Sequence, residues 1–170
     1  MTKPVLFIDV DGVLNPDRRS SGRRPDGYVT HRMRPSGWNH PRQRPLNVWL
    51  NPEHGAQLQA LPFELVWATT WEAEANEWIG PHVGLPELPV VRFTDRLRYR
   101  PDHVHWKTPD LVRYAGCRDF AWLDDEITRH DNAYVNANHV ARALLLQVSA
   151  FVGLNEDHLS TLKVWAAGLI

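Results

Sequence analysis

Residues 5–15, VLFIDVDGVLN, decide the fold. Four apolar residues precede Asp9, a run typical of an interior strand in a parallel sheet, which is covered on both faces. Asp9 and Asp11 point the same way at the end of that strand, and Gly12 lets the chain turn sharply. Two negative charges at a strand tip cost free energy unless a cation or a reacting group compensates them. Because ligands of open α/β sheets bind at this end of the strands, the stretch predicts a site.

Two simpler interpretations of this stretch are possible. A calcium-binding loop starting at Asp9 needs ligands at its fifth and twelfth positions. Val13 occupies the fifth position and Ser20 the twelfth, which disfavours a calcium loop. A strand-end turn without function remains open on these residues alone, because Asp and Gly are common in turns.

The composition is that of an ordinary globular protein. The chain has 170 residues, 43% of them hydrophobic and 23% charged, so we expect one domain over residues 1–170. The first residues lead directly into a strand and predict no signal peptide, and no apolar run approaches the ~20 residues needed to cross a bilayer. Cys117 is the single cysteine, which excludes an internal disulfide. Together these features predict a cytoplasmic protein.

Positive charge is concentrated in one segment. Residues 15–45 hold eight arginines and two aspartates, a net charge of +6, whereas the whole chain carries −1. Such a patch beside an anion site attracts a polyanion, although a solvated arginine-rich loop is the open alternative. The residues expected to bind substrate here are Arg18, Arg19, Arg23 and Arg24.

The same segment is expected to form a flap over about residues 16–50. Residues 28–33 and 45–50 both alternate in the manner of strands and are predicted to pair. An insert this long within a compact domain usually has a function, such as that of a lid.

The rest of the chain alternates between strands and helices. Asn51 as N-cap and Pro52 at the first helical position predict a helix that runs to about Leu61. We expect further strands over 63–68, 88–93, 120–123 and 143–148, and helices over 72–79, 108–115 and 156–167. In the last helix, Leu159, Leu162, Val164 and Trp165 are expected on or near the apolar side. This order indicates an α/β sandwich with a mostly parallel sheet.

Polar residues follow three of the predicted strands, and one starts a helix. They are Asp9 with Asp11, Thr69, Asp124 with Asp125, and, at the helix, Lys107. Because the carboxyl ends of parallel strands share one edge, these residues are expected to converge.

The set suits transfer of a phosphoryl group. A carboxylate can attack phosphorus and form an acyl phosphate, the role expected of Asp9. A second acid, Asp11, is placed to protonate the departing oxygen and then activate water. Thr69 and Lys107 can hold phosphate oxygens as charge develops. The carboxylates and the backbone of Asp11 suit Mg²⁺, so the expected metal ligands are Asp9, Asp11, Asp124 and Asp125.

Other polar and aromatic residues are expected to have structural rather than catalytic roles, or no assigned role. His54 is expected on the surface of its helix, and His103 and His105 form no recognisable metal site. Three tryptophans beside the motifs are expected in the core: Trp71, Trp106 and Trp122.

The residues quoted above resemble the four ordered motifs of the haloacid dehalogenase (HAD) superfamily. The motifs are residues 9–15, Thr69, Lys107 and the pair Asp124-Asp125. More narrowly, residues 65–71 with Ala75-Asn76, residues 122–126 and Gly153-Leu154 are similar to small HAD-like domains associated with RNA-repair proteins.

The resemblance implies a three-layer Rossmann-like sandwich, Mg²⁺ dependence and phosphomonoester hydrolysis through an aspartyl phosphate. An acid at Asp11 is what phosphatases of the superfamily show. Thr70, which is expected to bind substrate, stands where many members carry Gly or Asn, so the contributing hydroxyl is open between Thr69 and Thr70. No large cap domain fits the spacing, and a small arginine-rich flap suits a large substrate end.

Three functional hypotheses follow. The first is a phosphatase that acts on a nucleotide or a nucleic-acid end. The second is a small-metabolite phosphatase or phosphotransferase with the same chemistry. The third is a HAD-like module that binds a partner without catalysis. A P-loop nucleoside triphosphatase is disfavoured, because Lys107-Thr108 lacks the upstream glycines.

Overall fold

A sheet of four parallel strands forms the centre of the protein. The computed structural model describes residues 3–17, 23–38, 40, 42–94 and 100–168. The strands are β1 (Val5–Ile8), β2 (Val29–Met33), β3 (Leu46–Leu50), β4 (Glu64–Trp67), β5 (Phe120–Asp124) and β6 (Ala143–Gln147). The central sheet has the order β4-β1-β5-β6, and each neighbouring pair is parallel. The predicted parallel sheet is therefore confirmed.

Helices cover both faces of this sheet. They are α1 (His54–Gln59), α2 (Glu74–Trp78), α3 (Gly80–Val83), α4 (Thr108–Ala115), α5 (Arg129–Asn138) and α6 (Glu156–Ala167). Leu6 and Ile8 of β1 pack into one buried cluster with residues of α1, α2, α3 and α6. Val5 and Phe7 pack into a second cluster with residues of α4 and α5. Alternate residues of β1 thus face opposite layers, which gives the expected three-layer Rossmann-like sandwich.

The flap is a two-stranded antiparallel ribbon. β2 pairs with β3 from Val29 opposite Leu50 to Met33 opposite Leu46, as the alternation predicted. A 3-10 helix, Ser36–Trp38, lies in the connection between the two strands. Met33, Val48 and Leu50 are buried in the same cluster as Leu6 and Ile8, whereas Thr30 and Arg32, on the opposite face of β2, are exposed. One face of β2 therefore packs on the core at Met33, and the other faces solvent.

Several predicted element boundaries were wrong. Asn51 does not cap α1: its side-chain oxygen accepts from the backbone N of Glu53 (3.0 Å), a local turn that delays the helix to His54. Residues 88–93 form a single bridge between Val90 and Trp67 rather than a strand. Val164 is 74% exposed rather than on the apolar side of α6.

Two helices of the described residues were not predicted, the short α3, just beyond the helix predicted over 72–79, and α5. α5 buries only Asp131 and Val135, so it lacks the apolar stripe that marks a helix in sequence. Thr128 and Asp131 form a capping box at its start, which is the local signal that was available.

None of the helices in the described part of the chain has the length and apolar character needed to cross a bilayer.

Candidate active site

The ends of β1, β4 and β5 bring the predicted polar residues to one edge of the sheet. Ile8 lies in register with Trp67 on one side and with Leu123 on the other. Asp9 and Asp124 follow this register directly, so their side chains lie close together at the carboxyl edge.

Lys107 joins these two carboxylates in a buried ion-paired cluster. Its Nζ atom lies 2.8 Å from Oδ2 of Asp9 and 2.7 Å from Oδ2 of Asp124. The three residues are 2%, 7% and 0% exposed, respectively. Burial disfavours the ammonium, but the carboxylates of Asp9 and Asp124 raise the pKa of Lys107 above its usual range. Lys107 therefore stays positively charged and ready to hold an anion.

The surroundings of Asp9 disfavour its ionised carboxylate. Burial raises its pKa to about 8, and Asp124 adds to the rise while Lys107 opposes it. The other oxygen of Asp9 accepts from the backbone N of Val10 at 2.8 Å. One lysine does not fully compensate two buried carboxylates, so the site favours a further cation.

Asp131 fixes the segment that carries Lys107. Its Oδ1 accepts from the backbone N of His105 and from Oγ1 of Thr108, both at 2.7 Å. Its Oδ2 accepts from Thr128 in the capping box of α5. The fully buried Asp131 thus ties α5 to the start of α4, next to Lys107. Sequence analysis did not identify this residue.

Asp124 and Asp125 differ in their surroundings. Both oxygens of Asp124 have partners, Oδ2 with Lys107 and Oδ1 with the backbone N of Glu126 (2.9 Å). Asp125 is half-buried and lines the cavity described below. Burial, together with Asp124, raises the pKa of Asp125 to about 6.

Gly12 makes room for Asp125. A Cβ atom at Gly12 would lie 2.3 Å from Cγ of Asp125, closer than any real contact. Its φ of +80° also belongs to the region that glycine adopts readily. A side chain at position 12 would therefore strain the backbone and displace the Asp125 carboxylate of the last motif.

The donor set fits Mg²⁺. Oxygen atoms of Asp9, Asp124 and Asp125 lie within 4.8 Å of one another, and hard divalent cations prefer such all-oxygen sites. Ligand atoms of a second group, His105 with Asp124 and Glu126, also lie within 4.8 Å of one another, although no metal site was predicted at His105. This group shares Asp124 with the first. Nε2 of His105 lies 3.1 Å from Oε2 of Glu126.

The Asp11 side chain is held away from the three clustered carboxylates. Its Oδ1 accepts from Nδ2 of Asn15 at 2.8 Å, and its Oδ2 accepts from Nε1 of Trp71 at 2.9 Å. It is exposed and does not belong to the carboxylate group that can hold a metal. Asp11 is therefore expected to contribute its backbone, and not its side chain, to a metal site.

Asn15 and Trp71 were not predicted to act in the site. Trp71 is buried, as expected, but its indole N–H is directed to the carboxylate of Asp11, 60 positions away in the sequence. No local pattern predicts such a contact. Asn15 stands within the first motif, which was the only available signal.

The two threonines after β4 differ in exposure. Thr69 is fully buried, and its Oγ1 accepts from the backbone N of Trp71 at 3.4 Å. Thr70 is exposed and lines the cavity.

A cavity of about 700 Å³ opens over the cluster. Its walls include Asp9, Asp11, Gly12, Asn15, Thr70, His105, Lys107, Asp125 and Glu126.

The four arginines predicted to bind substrate do not appear among the described residues that line this cavity. Arg23 and Arg24 are exposed and are not among the cavity residues, and Arg24 donates to Oγ1 of Thr30 at 3.4 Å. Arg18 and Arg19 lie outside the described residues.

The prediction that His54 lies on the surface of its helix was wrong. His54 is 3% exposed, and its ring packs against Tyr28 with the centroids 5.5 Å apart. Burial lowers the pKa of His54 to about 4. Trp106 and Trp122 are buried, as expected.

The protein is thus a Rossmann-like α/β domain of the HAD type, with a carboxylate–lysine cluster at the carboxyl edge of its parallel sheet. Residues 5–159 match the family described as "HAD domain in Swiss Army Knife RNA repair proteins", and the chain belongs to that family. Searches among curated proteins and among solved structures gave no match.

Proposed function

We propose that the protein is a Mg²⁺-dependent phosphomonoester hydrolase that works through an aspartyl phosphate. The observation that carries the proposal is the pairing of Asp9 with Lys107 at the base of an open cavity that Asp11 also lines. A nucleophile, a cation and a second carboxylate therefore face one space. The family assignment supports a hydrolase of this kind.

Asp9 would act as the nucleophile. One of its carboxylate oxygens attacks phosphorus, and the bond between phosphorus and the ester oxygen breaks. Protonated Asp11 gives its proton to the departing oxygen. In the second step Asp11 takes a proton from water as that water attacks phosphorus, which releases inorganic phosphate and restores Asp9.

Lys107 would bind a phosphate oxygen throughout both steps. Its position between Asp9 and Asp124 orients the ammonium before substrate arrives, and such preorganisation stabilises charge that develops in the transition state. A threonine hydroxyl would hold another oxygen. Thr70 reaches the cavity, whereas Thr69 is buried, so exposure favours Thr70.

Mg²⁺ would be held by Asp9, Asp124 and Asp125 with the backbone of Asp11, and would neutralise charge on the phosphate. Asp125 is the member of the Asp pair that lines the cavity.

A nucleotide or a nucleic-acid end is the substrate class we favour. The flap segment carries eight arginines against two aspartates, and phosphodiesters are attracted to such positive charge. The family description refers to RNA repair, which agrees with this class. The single cysteine fits a reducing compartment such as the cytoplasm.

The test is phosphate release from 3′- and 5′-phosphorylated oligonucleotides, mononucleotides and sugar phosphates, each with Mg²⁺ and with EDTA. We expect metal-dependent turnover that is fastest on the nucleotide substrates. Faster turnover of sugar phosphates would indicate the small-metabolite phosphatase or phosphotransferase instead. Absence of turnover on every substrate, with partner binding retained, would indicate the non-catalytic module.

The arginines are tested by the salt dependence of activity on oligonucleotides. Each lost phosphate contact lowers the logarithmic salt slope by about 0.7 for a single strand. We expect a measurable decrease for Arg23→Gln/Arg24→Gln, and a larger one when Arg18→Gln and Arg19→Gln are added. The matched control is Arg142→Gln/Lys163→Gln, which removes two exposed charges outside the flap. Equal slopes in all variants would remove the polyanion from the proposal.

A further inference from the structure

A second cavity lies between the flap and the catalytic edge. Its volume is about 370 Å³, within the range of about 300–1,000 Å³ that is typical of small-molecule sites. The flap contributes Pro35, Trp38, Leu46 and Val48, and the edge contributes Asp11 and Thr70. Asp11 and Thr70 also line the catalytic cavity, so the two spaces meet at the proposed acid.

The position of Asp11 relates this cavity to the leaving group, an argument that rests on the proposed function. A general acid must lie within hydrogen-bond reach of the oxygen that it protonates. That oxygen belongs to the leaving group, while Lys107 and Asp9 face the phosphoryl group. The body of the substrate therefore begins beside Asp11, where the second cavity opens.

Trp38 gives this cavity an aromatic wall that is fixed in place. Its Nε1 donates to the backbone oxygen of Arg44 at 2.8 Å, so the polar atom of the indole is satisfied within the flap. The backbone N of Ser36 donates to Oε1 of Glu74 on α2 at 2.5 Å, which ties the 3-10 helix to the core. The ring is only partly buried and lines the cavity. It is thus an ordered aromatic surface available to a flat ligand.

The charge around this aromatic wall also fits a nucleotide. Exposed Arg34 directly precedes Pro35, and exposed Arg44 supplies the carbonyl that holds Trp38. Aromatic stacking combined with neighbouring arginines is typical of proteins that bind single-stranded nucleic acid. A sugar phosphate would leave the aromatic wall unused.

We propose that this cavity binds the unpaired base of the nucleoside whose ester oxygen Asp11 protonates, with Trp38 as the stacking surface. Trp38 is then a specificity-determining residue, and the preferred substrates are mononucleotides and single-stranded ends.

The test compares kcat/KM for a nucleoside 5′-monophosphate and for ribose 5-phosphate, which carries the same ester without a base. Loss of one stacking contact lowers the nucleotide value about 10- to 100-fold in Trp38→Ala, whereas Trp38→Phe retains most of it. Ribose 5-phosphate is expected to react equally with all three proteins. Trp165→Ala on α6 is the control for loss of a large side chain outside the cavity. Equal losses on both substrates, or no loss on either, would overturn the proposal.

A binding measurement separates this proposal from the proposed function. The affinity of each ligand for the Asp9→Asn protein, with and without Trp38→Ala, is measured by calorimetry. If the wild-type chain has no turnover but base-dependent affinity is lost in Trp38→Ala, the base site stands and the phosphatase fails. Turnover without base-dependent affinity overturns the base site alone, and absence of both overturns the two together.

Discussion

The carboxyl edge of the sheet and the flap differ in how their charged residues are held. At the edge, Asp9, Lys107 and Asp124 are each less than 10% exposed and are held by ion pairs below 3 Å. In the flap, the outer face of β2 with Arg32 is exposed, and the other described arginines are exposed in the loops beside this two-stranded ribbon. Buried, fixed charges suit chemistry, whereas exposed charges suit recognition of variable substrates. Under the proposed function, reaction class and substrate choice would reside in different parts of the chain.

Asn15 connects the two regions. Its Nδ2 donates to Asp11, and its Oδ1 accepts from the backbone N of Trp49 in β3 at 2.9 Å. The proposed acid is therefore held by one group that touches the flap and by one, Trp71, that belongs to the edge. A displacement of β3 would therefore be expected to move Asn15 and, with it, the side chain of Asp11.

Lys107→Met is the largest perturbation of the edge. It leaves two buried carboxylates without their cation, which costs about 3–5 kcal/mol of unfolding free energy. It also removes a positive charge from the phosphate site, so kcat is expected to fall about 1,000-fold. Phosphate release and urea unfolding measure the two effects.

Lys163→Met is the matched control, because this lysine is exposed on α6 and its replacement is expected to change stability by less than about 0.5 kcal/mol. Adding Asp124→Asn to Lys107→Met should recover part of the stability but none of the activity. Near-wild-type activity in Lys107→Met would mean that the buried cluster serves the fold alone.

His54 tests how the flap is anchored. Its pKa is about 4 in the folded chain and about 6.5 when unfolded, so the folded state favours the neutral ring. Stability from this group is complete above pH 6.5 and is lost as the pH falls towards 4, by about 3 kcal/mol at pH 4.

His54→Phe, which keeps a ring against Tyr28 but cannot titrate, is expected to remove this part of the acid sensitivity. Urea unfolding from pH 7 to pH 4 measures it, with the exposed His40→Phe as control. The same pH dependence in His54→Phe and in the wild type would contradict the anchoring role.

Trp71→Phe tests the hydrogen bond that orients Asp11, the residue that Asn15 links to the flap. It removes the hydrogen bond that holds Oδ2 of Asp11, so kcat is expected to fall about 10-fold for an alkyl phosphate, whose leaving oxygen needs a proton. A p-nitrophenyl ester needs little protonation and should lose much less. Steady-state kinetics on both esters gives the comparison, and equal losses would assign Trp71 a purely structural role.

The sequence predicted the strands of the edge and the pairing of the flap ribbon better than the contacts that support them. Apolar runs marked β1, β4 and β5, and because the strands are parallel, Asp9 and Asp124 had to share an edge. α4 and α6 also carried readable patterns, since Gly116 follows the first and the second buries Leu159 and Leu162.

The contacts that orient the site could not be predicted in the same way. Asp131 holds the segment before Lys107 from a helix with no apolar stripe, and Trp71 reaches Asp11 across 60 positions. His54 is buried because the flap folds back onto α1, which composition does not reveal. These are tertiary contacts between distant segments, and local periodicity carries no information about them.

The central claim is that Asp9 is the nucleophile of a Mg²⁺-dependent phosphatase. The most direct measurement is phosphate release by the wild type and by Asp9→Asn, with Mg²⁺ and with EDTA, after circular dichroism has shown both proteins to be folded. The account predicts turnover that requires Mg²⁺ and falls at least about 1,000-fold in Asp9→Asn, because the amide cannot form the aspartyl phosphate. Undiminished Mg²⁺-dependent turnover by Asp9→Asn would contradict it.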